Sequence, residues 1–165
     1  MSLTIKLARI DSRLLHGQVT TGWTNQVHPN RIFIVSDSVA KDTLRKNLLK
    51  QAAPAGVKVN VIDVDKMLKV WNDSRFDKLQ LLLLTEDPET MDRLVKGGIN
   101  IPVINVGNMT FDEGDTTIAS NLAVNDEDVK AFKSLHDEGV KLSRQMVPAD
   151  NAVDVMSLLK KAKLA

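Results

Sequence analysis

Cysteine and tyrosine are absent from this 165-residue chain. Without thiols there can be no disulfide, no thiolate nucleophile and no cysteine-ligated metal, a usage compatible with a reducing cytoplasm. Aromatic residues amount to 4% of the sequence, too few to supply stacking platforms for a single-stranded nucleic acid. Charge of one sign is lacking too: 22 lysines and arginines are interspersed with 21 acids, for a formal net charge of +1. That balance leaves no electrostatic footprint for nucleic acid or an acidic membrane surface. The longest greasy stretch, Leu79 to Leu84, is far too short to span a bilayer, and the N-terminus lacks the charged-then-apolar order of a secretion signal. The chain is therefore expected to stay in the cytoplasm, with no direct membrane insertion.

A hydrophobic fraction of 43% and a charged fraction of 26% suffice for a sizeable core, and the length fits one domain spanning residues 1–165. Short strand-like segments alternate with longer amphipathic ones, which predicts an α/β fold: an open, mostly parallel sheet with helices on both faces. The expected strands are Ile5 to Ile10, Arg31 to Ser36, Val57 to Ile62, Leu79 to Thr85, Pro102 to Val106, Thr117 to Val124 and Val140 to Gln145. Val39, Leu44, Leu48 and Ala52 recur at near-helical spacing and are expected in the core. Asp126 followed by Val129, Phe132 and Leu135, with Gly139 as a stop, reads as a capped helix. Ala152, Val155, Met156 and Leu159 share one face of an expected terminal helix. Residues 110–124 show no helical pattern before the next strand, so an antiparallel ribbon is the alternative there.

The run Arg9-Ile10-Asp11-Ser12-Arg13-Leu14-Leu15-His16-Gly17-Gln18-Val19 sets a histidine between arginines and a glycine, directly after the first expected strand. A neutral imidazole is a nitrogen nucleophile near physiological pH, and arginine forks match phosphate oxygens bidentately without losing their charge. Gly17 removes a Cβ where a bulky phosphoryl donor must approach, and a helix over Val19 to Gln26 would aim its first amides, Gln18 at its entrance, toward negative charge. Arg9 and Arg13 are the expected phosphate contacts. A carboxylate would repel phosphate, so Asp11 is expected to orient an arginine or the imidazole N–H. An arginine-histidine cluster at a strand end is also an ordinary solvated loop; the order of the whole run separates the two readings.

That run closely resembles the active-site segment of the B subunits of the mannose, fructose and sorbose family of the bacterial sugar phosphotransferase system, including the N-acetylgalactosamine branch. Members carry a pattern like Arg-Ile-Asp-Asp-Arg-Leu-Ile-His-Gly-Gln-Val. Here Ser12 replaces the usual second acid and Leu15 the usual isoleucine. The resemblance continues through Val35-Ser36-Asp37, Arg45-Lys46 through Gln51-Ala52-Ala53-Pro54, Lys58-Val59-Asn60-Val61, Asn105-Val106-Gly107-Asn108-Met109, Asp128-Val129-Lys130-Ala131-Phe132 and Gly139-Val140-Lys141-Leu142, nearly the whole chain in order. It implies that His16 is transiently phosphorylated by the A subunit and that the phosphoryl group passes to a sugar held by the C and D membrane subunits, the chain associating peripherally with that permease. The sugar itself is not legible: mannose, fructose, sorbose and N-acetylgalactosamine all stay open.

In open α/β sheets ligands bind beyond the carboxyl ends of the strands, which brings Asp37, Gly107 and Asn108 into consideration as supporting residues. Each is also an ordinary loop or cap residue. His28 and His136 have no partner at metal-ligand spacing, there is no phosphate-binding nucleotide loop, and Lys96-Gly97-Gly98 reads as a helix stop, so neither a metal nor a cofactor is expected. Two alternatives stand beside the carrier reading. One is a non-catalytic, phosphate-binding regulatory module of the same fold, favoured by the missing acid at Ser12; the other is a hydrolase using His16 as base, for which no serine or carboxylate constellation is evident.

Overall fold

Runs of β-branched and leucine residues form the sheet. In the computed structural model, which describes residues 3–165, the strands are β1 (Thr4–Ile10), β2 (Arg31–Val35), β3 (Lys58–Ile62), β4 (Gln80–Thr85), β5 (Val103–Val106), β6 (Thr116–Ala119), β7 (Leu122–Val124), β8 (Lys141–Arg144) and β9 (Val153–Asp154). Seven of them make one sheet in the order β3-β2-β4-β1-β5-β8-β9, parallel throughout except for β9. β6 and β7 form a separate antiparallel hairpin. Along β2 and β4, Ile32, Ile34, Leu82 and Leu84 enter one core while Phe33, Val35, Leu81 and Leu83 enter another. A sheet covered on both faces needs such unbroken apolar strands rather than alternation with polar residues.

The helices are α1 (Thr24–Val27), α2 (Asp37–Ala40), α3 (Thr43–Gln51), α4 (Val64–Trp71), α5 (Pro88–Lys96), α6 (Asp126–Asp137) and α7 (Val155–Lys161). Those after β3 bury Met67, Val70, Met91, Leu94, Phe132, Leu135 and Leu159 on one face of the sheet. The other face is covered by Leu14, Leu15 and Val19, together with Val39 and Leu49 from α2 and α3. Side chains of Ser36, Asp42, Asp63, Asp87, Asn125 and Asp154 cap their helices by accepting a first-turn amide, which is why these six helices begin at a hydroxyl, carboxylate or amide side chain.

Several expectations need correction. Asp42 caps a new helix immediately after α2, which resets the helical phase. Leu49 then faces the sheet, while Leu44 and Leu48 lie 73% and 57% exposed instead of in the core. Ala152 is exposed and precedes α7, because Asp154 caps that helix; two residues before it pair antiparallel with β8, a strand too short to leave a pattern. The expected strand over Thr117 to Val124 is broken by Asn121, at φ 57°, into the β6–β7 hairpin, so the ribbon is what forms. In place of a regular helix over Val19 to Gln26, Gln18–Trp23 is π-helical and runs into α1.

Parallel strands place all their carboxyl ends on one edge. β1 lies between β4 and β5, so the chain's winding reverses at β1 and the loops on its two sides part there, opening the crevice in which doubly wound folds bind ligands. The Asp11–Gly17 loop leaves β1 at this point.

Candidate active site

Both neighbouring strands fix the loop that follows β1. The Asp11 amide donates to the Thr85 carbonyl of β4, 2.9 Å, and the Ser12 amide to the Asn108 carbonyl beyond β5, 2.8 Å. The chain then turns tightly, the Leu14 amide reaching back to the Asp11 carbonyl at 2.9 Å. Leu14 adopts φ 58°, a left-handed conformation that costs a side-chain-bearing residue about 1–2 kcal/mol. Its side chain is fully buried, and burying a leucine returns roughly 1.5–3 kcal/mol. Burial thus outweighs the strain, and the turn is anchored two residues before His16.

Asp11 is the hub of the site. Its buried carboxylate accepts the Arg13 amide at 3.0 Å through Oδ1, and through Oδ2 it meets Arg9 at 3.1 Å and His16 Nε2 at 2.8 Å. An ionised carboxylate only accepts hydrogen bonds, so His16 donates its Nε2–H and the other ring nitrogen, Nδ1, keeps its lone pair. Nδ1 has no hydrogen-bond partner among the described residues, and the His16 side chain is 16% exposed. Burial pushes the Asp11 carboxyl up; the hydrogen bonds from His16 and the Arg13 amide and the charge of Arg9 outweigh it, and the pKa lies below the ordinary value.

Beneath this loop lies a buried cationic pair. Arg9 is fully buried: its guanidinium donates to Asp11, to the Asn105 side chain and to the Gln145 carbonyl, and its carbon lies 5.4 Å from the centre of the Trp23 ring. Gly107 makes room for it, since a Cβ there would collide with the guanidinium. Arg144 ends β8 and donates to the carbonyls of Gly107 and Ser120, tying the loop after β5 to the β6–β7 hairpin. Burial lowers the pKa of both arginines, yet a guanidinium stays charged under any physiological condition. Arg9 is paired with Asp11, and Arg144 feels the charges of Asp150 and, less, of Asp11.

Arg13 and Gln18 lie outside, on the rim. The Arg13 side chain is 45% exposed and donates to Gln18 Oε1 at 3.2 Å. Gly17 has ordinary right-handed angles and no atom within 4 Å of where its Cβ would stand, so nothing inside the chain requires a glycine; the free space faces outward. Ser12 turns away from His16. Its hydroxyl joins Thr110 and Asn108 at 2.8 and 2.9 Å, stitching the β1 loop to the β5 loop. Between these loops and the hairpin opens a cleft of about 520 Å³ that Arg13, Gln18 and Asn108 help to line.

Of the residues predicted from sequence, Arg9, Asp11, Ser12, Arg13, His16, Gly17, Gln18, Gly107 and Asn108 gather at this crevice. Two roles change. Full burial and three polar partners leave Arg9 no face for direct phosphate contact, so it acts by holding Asp11. Asp37 is not brought to His16 at all: it accepts the Val64 amide at 3.0 Å and pairs with Arg93 at 2.8 Å, linking α2 to α4 and α5. Sequence reasoning missed Asn105 and Arg144. The one available signal was an arginine closing an apolar strand, at Ser143-Arg144-Gln145.

Residues 5–165 match the family model described as the PTS system sorbose subfamily IIB component. The sorbose-specific EIIB component of Lacticaseibacillus casei is 44% identical over 155 residues, 94% of each chain. The mannose-specific EIIAB component of Escherichia coli K12 is 43% identical over 159 residues, which are 96% of this chain but 49% of that protein; the chain spans about half the length of this relative. In three dimensions the IIBSor domain of the Klebsiella pneumoniae sorbose permease superposes with a TM-score of 0.94 at 34% identity, covering 96% of this chain and 98% of that one.

Proposed function

The chain belongs to the sorbose-subfamily IIB components of the sugar phosphotransferase system, and from that premise we propose that it is a phosphocarrier in which His16 takes a phosphoryl group from a phosphohistidine of an A subunit and gives it to a sugar carried by C and D membrane subunits. The observation that carries this reading is the 2.8 Å contact of His16 Nε2 with Asp11, which directs the Nδ1 lone pair outward. Nδ1 attacks phosphorus, the donor's N–P bond breaks, and its electron pair returns to the donor ring. With Nε2 still protonated, the phosphorylated ring of His16 carries a positive charge, and Asp11 offsets it. Arg13, with its fork at the surface, neutralises the equatorial oxygens of the transferring group; in phosphoryl transfer the protein contributes chiefly alignment and charge. Open space at Gly17 admits the donor. The second step runs through the same nitrogen, which leaves as a neutral imidazole. The protein works at the cytoplasmic face, held to the permease only peripherally.

Incubation with phosphoenolpyruvate, the general phosphocarrier proteins and the A subunit should give an acid-labile, base-stable adduct on His16 alone, attached at Nδ1 by phosphorus-coupled NMR. Labelling that persists in His16→Ala would overturn the assignment, and attachment at Nε2 would reject the role given to Asp11.

A further inference from the structure

The helical segment that follows His16 opens on an irregular turn. Over Gln18–Trp23 the backbone is π-helical: the Thr24 amide donates to the Val19 carbonyl, five residues back, and the Thr20 carbonyl accepts the Thr24 hydroxyl. Such widened turns are rare and concentrate at functional sites. This one divides its two buried side chains. Val19 enters the core with Leu14 and Leu15, whereas Trp23, 5% exposed, lies over the Arg9 guanidinium, whose carbon is 5.4 Å from the ring centre. The loop after β8 holds both partners. Its Met146 carbonyl accepts the indole N–H at 3.0 Å, and its Gln145 carbonyl accepts Arg9 at 3.0 Å and the Asn105 side-chain amide at 3.3 Å. Arg9 Nε is the one buried side-chain nitrogen or oxygen without a hydrogen-bond partner among the described residues. An unpaired donor on a buried cation is costly, and the negative face of an aromatic ring offsets it, the more so out of water.

We infer that Trp23 is a positioning residue for phosphoryl transfer: by holding the Arg9 guanidinium against Asp11 it keeps the Asp11 carboxylate on His16 Nε2 and so leaves Nδ1 as the nucleophile. The inference rests on the carrier reading above and adds a residue that acts through two others. Asp11 Oδ2 accepts from both Arg9, at 3.1 Å, and His16, at 2.8 Å, so a displaced guanidinium moves the oxygen that fixes the imidazole tautomer. With the proton on Nδ1 instead, the lone pair would sit on Nε2, turned inward against a carboxylate and out of reach of phosphorus. Hydrogen bonds restrain only Nη1 and Nη2 of Arg9; Trp23 adds the restraint they lack. An α-helical turn here would rotate Trp23 about the helix axis relative to Val19. The π-turn therefore lets one segment serve the core and the guanidinium at once.

Transfer from the phosphorylated A subunit to His16 is measured in Trp23→Leu and Trp23→Phe, with the ring nitrogens of ¹⁵N-labelled His16 followed by NMR. Trp23→Leu should lower kcat roughly ten- to a hundredfold with KM for the donor unchanged, and the His16 signals should move from those of the Nε2-protonated tautomer toward an average of the two. Trp23→Phe keeps a ring face, though it cannot donate to Met146, and should recover most of the rate and the wild-type signals. Biosynthetic fluorination of the two tryptophans, of which Trp71 lies on α4, drains the negative face of the ring at almost constant size. With it kcat should fall stepwise as fluorine atoms are added, a readout that holds even where the leucine variant does not fold. Wild-type tautomer and kcat in Trp23→Leu, equal losses in Trp23→Leu and Trp23→Phe, or rates indifferent to fluorination would each overturn the inference, since a tryptophan that only fills space lowers the melting temperature and leaves the tautomer alone. A raised KM at constant kcat would overturn it too, by making Trp23 part of the donor's docking face. Failure of wild-type His16 to be labelled would overturn the carrier reading and this inference with it; wild-type labelling beside any of the preceding outcomes would overturn the inference alone.

Discussion

Burial alone would raise the pKa of Asp11, but the hydrogen bond from His16, the Arg13 amide and the charge of Arg9 pull it below its ordinary value, so the folded state binds this proton more weakly than the unfolded chain does. The stabilisation is therefore complete above the unfolded value, about pH 3.9, and is lost as the pH falls through the folded one. Asp11→Asn leaves the Arg9 guanidinium buried without its carboxylate and should cost about 3–5 kcal/mol at pH 7. Urea unfolding should show that deficit shrinking at pH 3; an equal deficit at both pH values would mean that the charge contributes nothing. Arg13 behaves in the opposite way because it is exposed. Arg13→Lys should leave stability within about 0.5 kcal/mol yet slow phosphorylation of His16 roughly ten- to a hundredfold, since a point charge cannot reproduce the two-pronged fork. Unaltered transfer kinetics would reduce Arg13 to a loop arginine. Asp11, Arg13 and His16 were legible together because they fall within six residues of one turn. Arg144 was not, because its partners, Gly107 and Ser120, lie 37 and 24 residues away, and only the packed hairpin shows why an arginine is buried there.

Between elements, α5 and α6 meet through a pair of acids. Burial, and then the neighbouring Asp128, raise Glu89 to about 8, and burial raises Asp128 as well, even though Asp128 also closes the capping box of α6 with Asn125. Here the sign is reversed relative to Asp11. A carboxyl with a raised pKa favours the folded state fully below its unfolded value, about 4.3, and that contribution drains away as the pH climbs through about 8. Glu89→Gln keeps the neutral form at every pH. Its melting temperature should exceed that of the wild type at pH 9 and converge with it near pH 5; a constant gap would show that no proton is shared between the helices. This contact could not be read from sequence, since Glu89 looks like any first-turn acid favoured by a helix N-terminus. Apolar periodicity did announce most elements. It misplaced Leu44 and Leu48 because periodicity carries no information about phase once a cap such as Asp42 restarts a helix, and it passed over β9 because two residues cannot establish a period of two.

For the molecule as a whole, the reversal of winding at β1 sets His16, Arg13, Gly17 and the cleft on a single edge of the sheet. On the proposed carrier reading, donor and acceptor therefore use the same edge in turn. The consequence is kinetic. Alignment of a hydroxyl with the phosphorus is worth many orders of magnitude in effective concentration when both reactants are fixed, and little of it is realised when one of them diffuses freely. On the proposed carrier reading, an edge open to solvent fixes little of a sugar, so most of the alignment comes from the membrane partner. Purified chain phosphorylated on His16 and mixed with free sugar should accordingly lose its phosphate slowly, chiefly to water. Adding membranes that contain the cognate C and D subunits should redirect the phosphate to sugar and accelerate its loss. Measuring labelled sugar phosphate with and without such membranes decides the matter: rapid sugar phosphorylation in their absence would show that this chain holds and orients the acceptor alone, and would make it a complete sugar kinase in place of a carrier.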